Sequence, residues 1–153
     1  NGNLIFDGKS DLELNFGDNT IIYIKGTMTV NTNVKITGKV TFIVEASDPT
    51  KRDIDFKNND FLINSTVDPN ASISIISLND ITLNTNGNPN ISAVILAPNR
   101  KIAINGNPNI SGAIISKEIV YGGSAEITYP SEIIHNLPEI YLKEAGIVKW
   151  LEE

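Results

Sequence analysis

The chain has 153 residues, enough for one domain whose core is shared along a stack of repeats. Eighteen acidic residues against twelve basic ones give a net charge of −6, and only Arg52 and Arg100 offer a guanidinium, so nucleic acid and anionic membrane are poor partners. Cysteine is absent, which excludes disulfides and thiolate metal sites, and no apolar run approaches the roughly twenty residues of a membrane span.

Residues 3 to 16 open with Leu4-Ile5-Phe6 and place Leu12, Leu14 and Phe16 at alternate positions, the period of a half-buried strand. Alternation then runs almost unbroken: Ile22 and Ile24 flank Tyr23, Met28 and Val30 flank Thr29, Val34 and Ile36 flank Lys35, and Val40, Phe42 and Val44 follow. Ile22 to Phe42, Ile24 to Val44 and Val34 to Ile54 are all steps of twenty, which places each pair one above the other in a stack. Segments 46–53 and 65–70, with Asp48-Pro49 and Asp68-Pro69, lack core periodicity and read as projecting loops.

Strand pattern resumes at Ile73, Ile75, Ile81 and Leu83 and reaches a near-exact repeat. Gly87-Asn88-Pro89-Asn90 recurs nineteen residues later as Gly106-Asn107-Pro108-Asn109, and Ile91–Leu96 aligns with Ile110–Ile115. Twenty-five Ile and twenty Asn fit such a unit, one as β-branched filling and the other as a turn residue that tolerates left-handed angles. The expected fold is all-β: a single-domain, right-handed parallel β-helix over residues 1–129, of about six or seven coils at roughly 4.8 Å each. Beyond Pro130 the pattern breaks, and residues 130–153 read as a C-terminal cap over the open end of the stack, which would otherwise invite end-to-end growth. The start at Asn1-Gly2-Asn3 carries no charged-then-apolar signal pattern and reads as that of an excised domain.

Chemistry-bearing residues are few. His135 is the single histidine and, without a placed partner, reads as structural. Asp53 and Asp55 share one face of a strand and Asp60 follows, a set that reads as a solvated acidic patch or weak calcium site ahead of a glycosidase pair. Asn86, Asn88 and Asn90 against Asn105, Asn107 and Asn109 read as stacked amide ladders at the corners. Tyr23, pointing outward, with Tyr121 and Tyr129 near the last coil, are the residues with ring faces suited to sugars; Trp150 lies in the tail. No cofactor or metal is expected, and no turnover.

The runs Thr20–Gly26 and Ala93-Val94-Ile95-Leu96-Ala97-Pro98-Asn99, followed by Asn105-Gly106 and Ser111-Gly112-Ala113-Ile114-Ile115-Ser116-Lys117, resemble the β-helical C-terminal domain of type IV pilus-associated bacterial surface proteins, over about residues 3 to 129. In general character the chain is also similar to the tāpirins, cellulose-binding surface proteins with longer loops. The resemblance implies a non-catalytic, extracellular domain at the bacterial cell surface. Its expected partner is an insoluble polysaccharide such as cellulose, with other pilus or surface proteins as further partners and no direct membrane insertion by this segment. The alternative is a structural domain of such a protein with no carbohydrate ligand.

Overall fold

The computed structural model describes residues 2–45 and 53–130, which hold thirteen β-strands and no helix. All strand pairings are parallel. Parallel neighbours cannot be joined by a hairpin, so the chain must travel elsewhere before returning to pair with itself. Here it travels through two further columns of strands, and the result is a solenoid-like stack.

The first column holds β1 (Leu4–Phe6), β4 (Met28–Val30), β7 (Asp53–Lys57), β10 (Ile81–Thr85), the last part of β11 (Asn90–Asn105) and the end of β12 (Asn109–Tyr121). The second holds β2 (Leu12–Asn15), β5 (Val34–Thr37), β8 (Phe61–Ile63), the starts of β11 and β12, and β13 (Glu126–Thr128). The third holds β3 (Thr20–Ile24), β6 (Lys39–Val44), β9 (Ser72–Ser77) and the middle parts of β11 and β12.

Each column turns alternate residues inward, and these stack as rows. One row runs Leu12, Val34, Phe61, Ile91, Ile110, Ile127; another runs Ile22, Phe42, Ile75, Ile95, Ile114. The core is not uniform along the stack. All five phenylalanines gather in its first half, where Phe42 meets Phe6, Phe16 and Phe61 at centroid distances of 6.0, 6.2 and 6.0 Å and Phe56 meets Phe61 at 5.8 Å. The second half is closed by smaller aliphatic side chains such as Ile95, Ala93 and Ile104, all buried.

The corners explain the turn residues. Gly38 (φ 78°) and Gly106 (φ 98°) sit in the left-handed region, and a Cβ would come within 1.6 Å of the Phe16 carbonyl oxygen at the first and 1.8 Å of that of Thr85 at the second. Asn99, the last residue of the Ala-Pro-Asn run, has φ 64° where the register between β11 and β12 shifts.

Several expectations are corrected. Residues 3–16 form two strands on two columns, because the chain bends between Phe6 and Leu12. Ile22 stacks on Phe42 and Ile24 on Val44 as expected, but Val34 lies between Leu12 and Phe61 while Ile54 lies between Met28 and Leu83. A uniform step of twenty fails there because coils of the first half carry unequal insertions at their corners. Asp53 belongs to β7 instead of a loop. The remainder of the 46–53 loop, and the cap from 131 onward with His135 and Trp150, lie outside the described residues.

Candidate functional site

The residues pointing away from the core give the three columns different outer surfaces. On the second column, the residue before each inward apolar residue forms a continuous polar ladder. Asp11 accepts from Asn33 Nδ2 (3.2 Å), Asn33 Oδ1 accepts from the Asp60 amide (3.0 Å), Asp60 Oδ1 accepts from the Asn90 amide and Nδ2 (2.8 and 3.1 Å), and Asn90 Oδ1 accepts from Asn109 Nδ2 (3.2 Å). Glu126 takes the next rung by register with Asn109. Two residues further along each strand, Ser92, Ser111 and Thr128 form a parallel hydroxyl row. The hydroxyl row, Leu62 and the last three rungs of the ladder, Asn90, Asn109 and Glu126, line an open cavity of about 290 Å³.

This surface is regular because parallel strands repeat at about 4.8 Å, and rungs with short polar side chains hold that spacing. Amide and carboxylate oxygens of the ladder mostly accept from the neighbouring rung, which fixes their direction. The hydroxyl row borders the open cavity and offers donors and acceptors at the same repeat. Chemically the arrangement can bind an extended, neutral, hydroxyl-rich chain. Among the described residues no three of His, Cys, Asp and Glu come together as a metal-binding group. Asp55 lies on the first column, where it accepts from the Lys57 amide, and Asp60 on the second, so the suggested calcium set spans two columns.

Of this ladder, only the Asn90–Asn109 rung is legible from the spacing of the repeat. A signal was present, an Asp or Asn directly before an inward residue at Asp11-Leu12, Asn33-Val34 and Asp60-Phe61, but the irregular spacing of those coils concealed it. Asn105 pairs with Asn84 (Nδ2 to Oδ1, 3.2 Å) in place of Asn86, since β10 stacks on the end of β11 at a step of twenty-one residues, against nineteen between the starts of β11 and β12. Asn88 instead donates its amide to Asn58 Oδ1, and Asn107 Oδ1 accepts from the Ser124 amide.

The three tyrosines are not brought together. Tyr23 points outward from β3 on the third column, near the N-terminal end of the stack. Its hydroxyl donates to the Glu45 carboxylate and Lys25 Nζ lies 5.6 Å from its ring centroid. The hydrogen bond to Glu45, with smaller contributions from desolvation and from the negative charge of Glu45, pushes the Tyr23 phenol above its ordinary value. Tyr121 is in register with Ile104, in the inward row of the first column at the last rung, and is half-exposed because it ends that row. Tyr121 thus lies at the last coil as expected, and its exposure comes from ending an inward row. Tyr129 follows Thr128, the last residue of the hydroxyl row, and is 51% exposed.

A family model described as a domain of unknown function (DUF7305) matches residues 1–136. The chain belongs to that family. The span matched by DUF7305 takes in all three columns and the polar surface of the second. No curated protein and no solved structure matches the chain.

Proposed function

We propose that this DUF7305 domain is a non-catalytic, extracellular adhesin domain of a bacterial surface protein, which attaches to insoluble plant polysaccharide, cellulose first, along the outer surface of its second column. The observation that carries the reading is the pairing of the Asn90–Asn109 rung with the Ser92–Ser111–Thr128 row beside an open cavity. Ladders held at the strand repeat are preorganised, so binding loses little side-chain entropy. Tyr129, at the end of the row, adds a half-exposed ring face. Tyr23 and Tyr121 are separate candidates at other parts of the stack. The placement at the cell surface beside a type IV pilus rests on the resemblance of the Thr20–Gly26 and Ala93–Lys117 patterns. The finer fold reading is a right-handed β-helix, and the six rungs of the first and second columns support about six coils.

A structural, ligand-free domain is the second reading, favoured by one observation: most of the oxygens in the Asp11–Asn109 ladder are already engaged with the next rung. Retention on microcrystalline cellulose, xylan and chitin, with an inert protein as control, separates the two. The adhesin reading expects retention on cellulose that depends weakly on salt, since neutral hydrogen bonds and ring contacts are little screened. Absence of retention on all three solids supports the structural reading.

A further inference from the structure

The polar ladder of the second column runs in one direction. Asn33 Nδ2 donates to Asp11, Asn90 Nδ2 to Asp60 and Asn109 Nδ2 to Asn90, each toward the N-terminal end of the stack. Parallel strands repeat without reversing, so equivalent amides line up head to tail. A head-to-tail ladder uses its last donor at one end and leaves an oxygen unmatched at the other. Asp11 closes the N-terminal end well, because a carboxylate only accepts. The matching residue for the C-terminal end would be a pure donor such as lysine.

The sequence places Glu126 there instead. Asn109 Oδ1 and the Glu126 carboxylate thus belong to adjacent rungs, both residues are exposed, and among the described residues nothing donates to either group. Two acceptors on neighbouring rungs cannot pair with each other. Both residues line the open cavity, as do Ser111 and Thr128 two positions further along the same strands, whose hydroxyls also have no partner among the described residues. On the first column the ladder from Asn84 ends differently, since the rung after Asn105 is Gly122, which brings no side chain. Of the two ladders, only the one beside the cavity ends on two acceptors.

We propose that Asn109 Oδ1 and the Glu126 carboxylate form the anchoring subsite of this surface, accepting hydrogen bonds from two neighbouring hydroxyls of a neutral sugar, and that Glu126 rejects acidic glycans. The assignment rests on the polysaccharide reading above and narrows it. A ring hydroxyl donates, which is what both oxygens lack, and a hydrogen bond to a carboxylate is stronger than one to a neutral acceptor. The Ser111 and Thr128 hydroxyls then donate to further sugar oxygens at the same repeat. A uronate in that position brings a third acceptor-only group of like charge, so repulsion adds to the missing hydrogen. Calcium would also answer two acceptors, but it takes roughly six to eight oxygen ligands, and no three of His, Cys, Asp and Glu gather here among the described residues.

Depletion isotherms of the full chain on microcrystalline cellulose, and on the same solid oxidised at its primary hydroxyls to carboxylates, test the subsite at about 0.15 M salt, where the net charge of −6 is screened. The parent chain should bind the native solid at least about tenfold more tightly than the oxidised one. Glu126→Gln, whose amide can donate to Asn109 Oδ1, should lose about fivefold on native cellulose and shrink the preference to about twofold. Glu13→Gln makes the same change of charge at the far end of the column, outside the cavity, and should behave as the parent. If the parent is retained on native cellulose and Glu126→Gln matches Glu13→Gln on both solids, the subsite is overturned and the polysaccharide reading stands. No retention of the parent on native cellulose would overturn both. Retention abolished by EDTA would put a cation between the two acceptors and overturn the assignment to sugar hydroxyls.

Discussion

The second and third columns share one interior and have opposite exteriors. Both run parallel strands at the same repeat, and both feed inward rows of Ile, Val, Leu and Phe into the same core. Outside, the second presents Asp, Asn and Ser rungs around an open cavity, while the third presents Ile, Val and Leu that are buried. The difference lies wholly in the alternate residues that the core does not use. A solenoid therefore carries two independent messages in one strand, since successive side chains point to opposite sides of the sheet. Inward positions set the fold and outward positions set what each side meets.

Breaking the shared interior should have the largest effect. Phe42→Ala removes the ring that touches Phe6, Phe16 and Phe61 and is expected to cost about 3–5 kcal/mol in urea unfolding. Ile95→Ala, fully buried, should cost about 2–5 kcal/mol, and Ile114→Ala clearly less, because Ile114 is only partly buried. Equal losses at the two positions would mean that burial on the last rung is as complete as in the middle.

The exteriors can be compared directly. Leu96→Ala on the third column should cost about 2 kcal/mol, and Ser92→Ala, one strand position outward on the second, within about 0.5 kcal/mol. Asp60→Ala falls between them at about 1–2 kcal/mol, since it leaves the Asn90 amide and Nδ2 without their acceptor. The smallest effect is at Tyr23. Its raised value favours the folded state while the phenol is protonated, and that contribution is lost as pH rises through the folded-state value. Ultraviolet titration of Glu45→Ala should show this phenol ionising at lower pH than in the parent chain.

How much of this the sequence disclosed depended on the regularity of each coil. Between Asn90 and Ile115 the repeat is nearly exact, and the pairing of Ile95 with Ile114 and of Asn90 with Asn109 could be read from spacing alone. Before Asn90 the corners differ in length, so a step of twenty pairs Val34 with Ile54, whereas Phe61 is its neighbour. Alternation correctly sent Tyr23 outward, but it gave no column, and only the winding shows that Tyr23 and Tyr121 lie on different ones. The apolar exterior of the third column was hidden for a further reason. Ile43, Ile76 and Leu96 sit beside inward residues in continuous apolar runs, where no alternation remains to be read.

Binding along the second column is tested most directly by obstructing it. Ser111→Arg places a long cation in the middle of the hydroxyl row, and Asn105→Arg places the same side chain on the outer surface of the first column. On microcrystalline cellulose the parent and Asn105→Arg should be retained alike and Ser111→Arg should be lost to the wash, with both variants melting within a few degrees of the parent. Undiminished retention of Ser111→Arg, equal loss in both variants, or no retention of the parent would contradict a polysaccharide site on this surface.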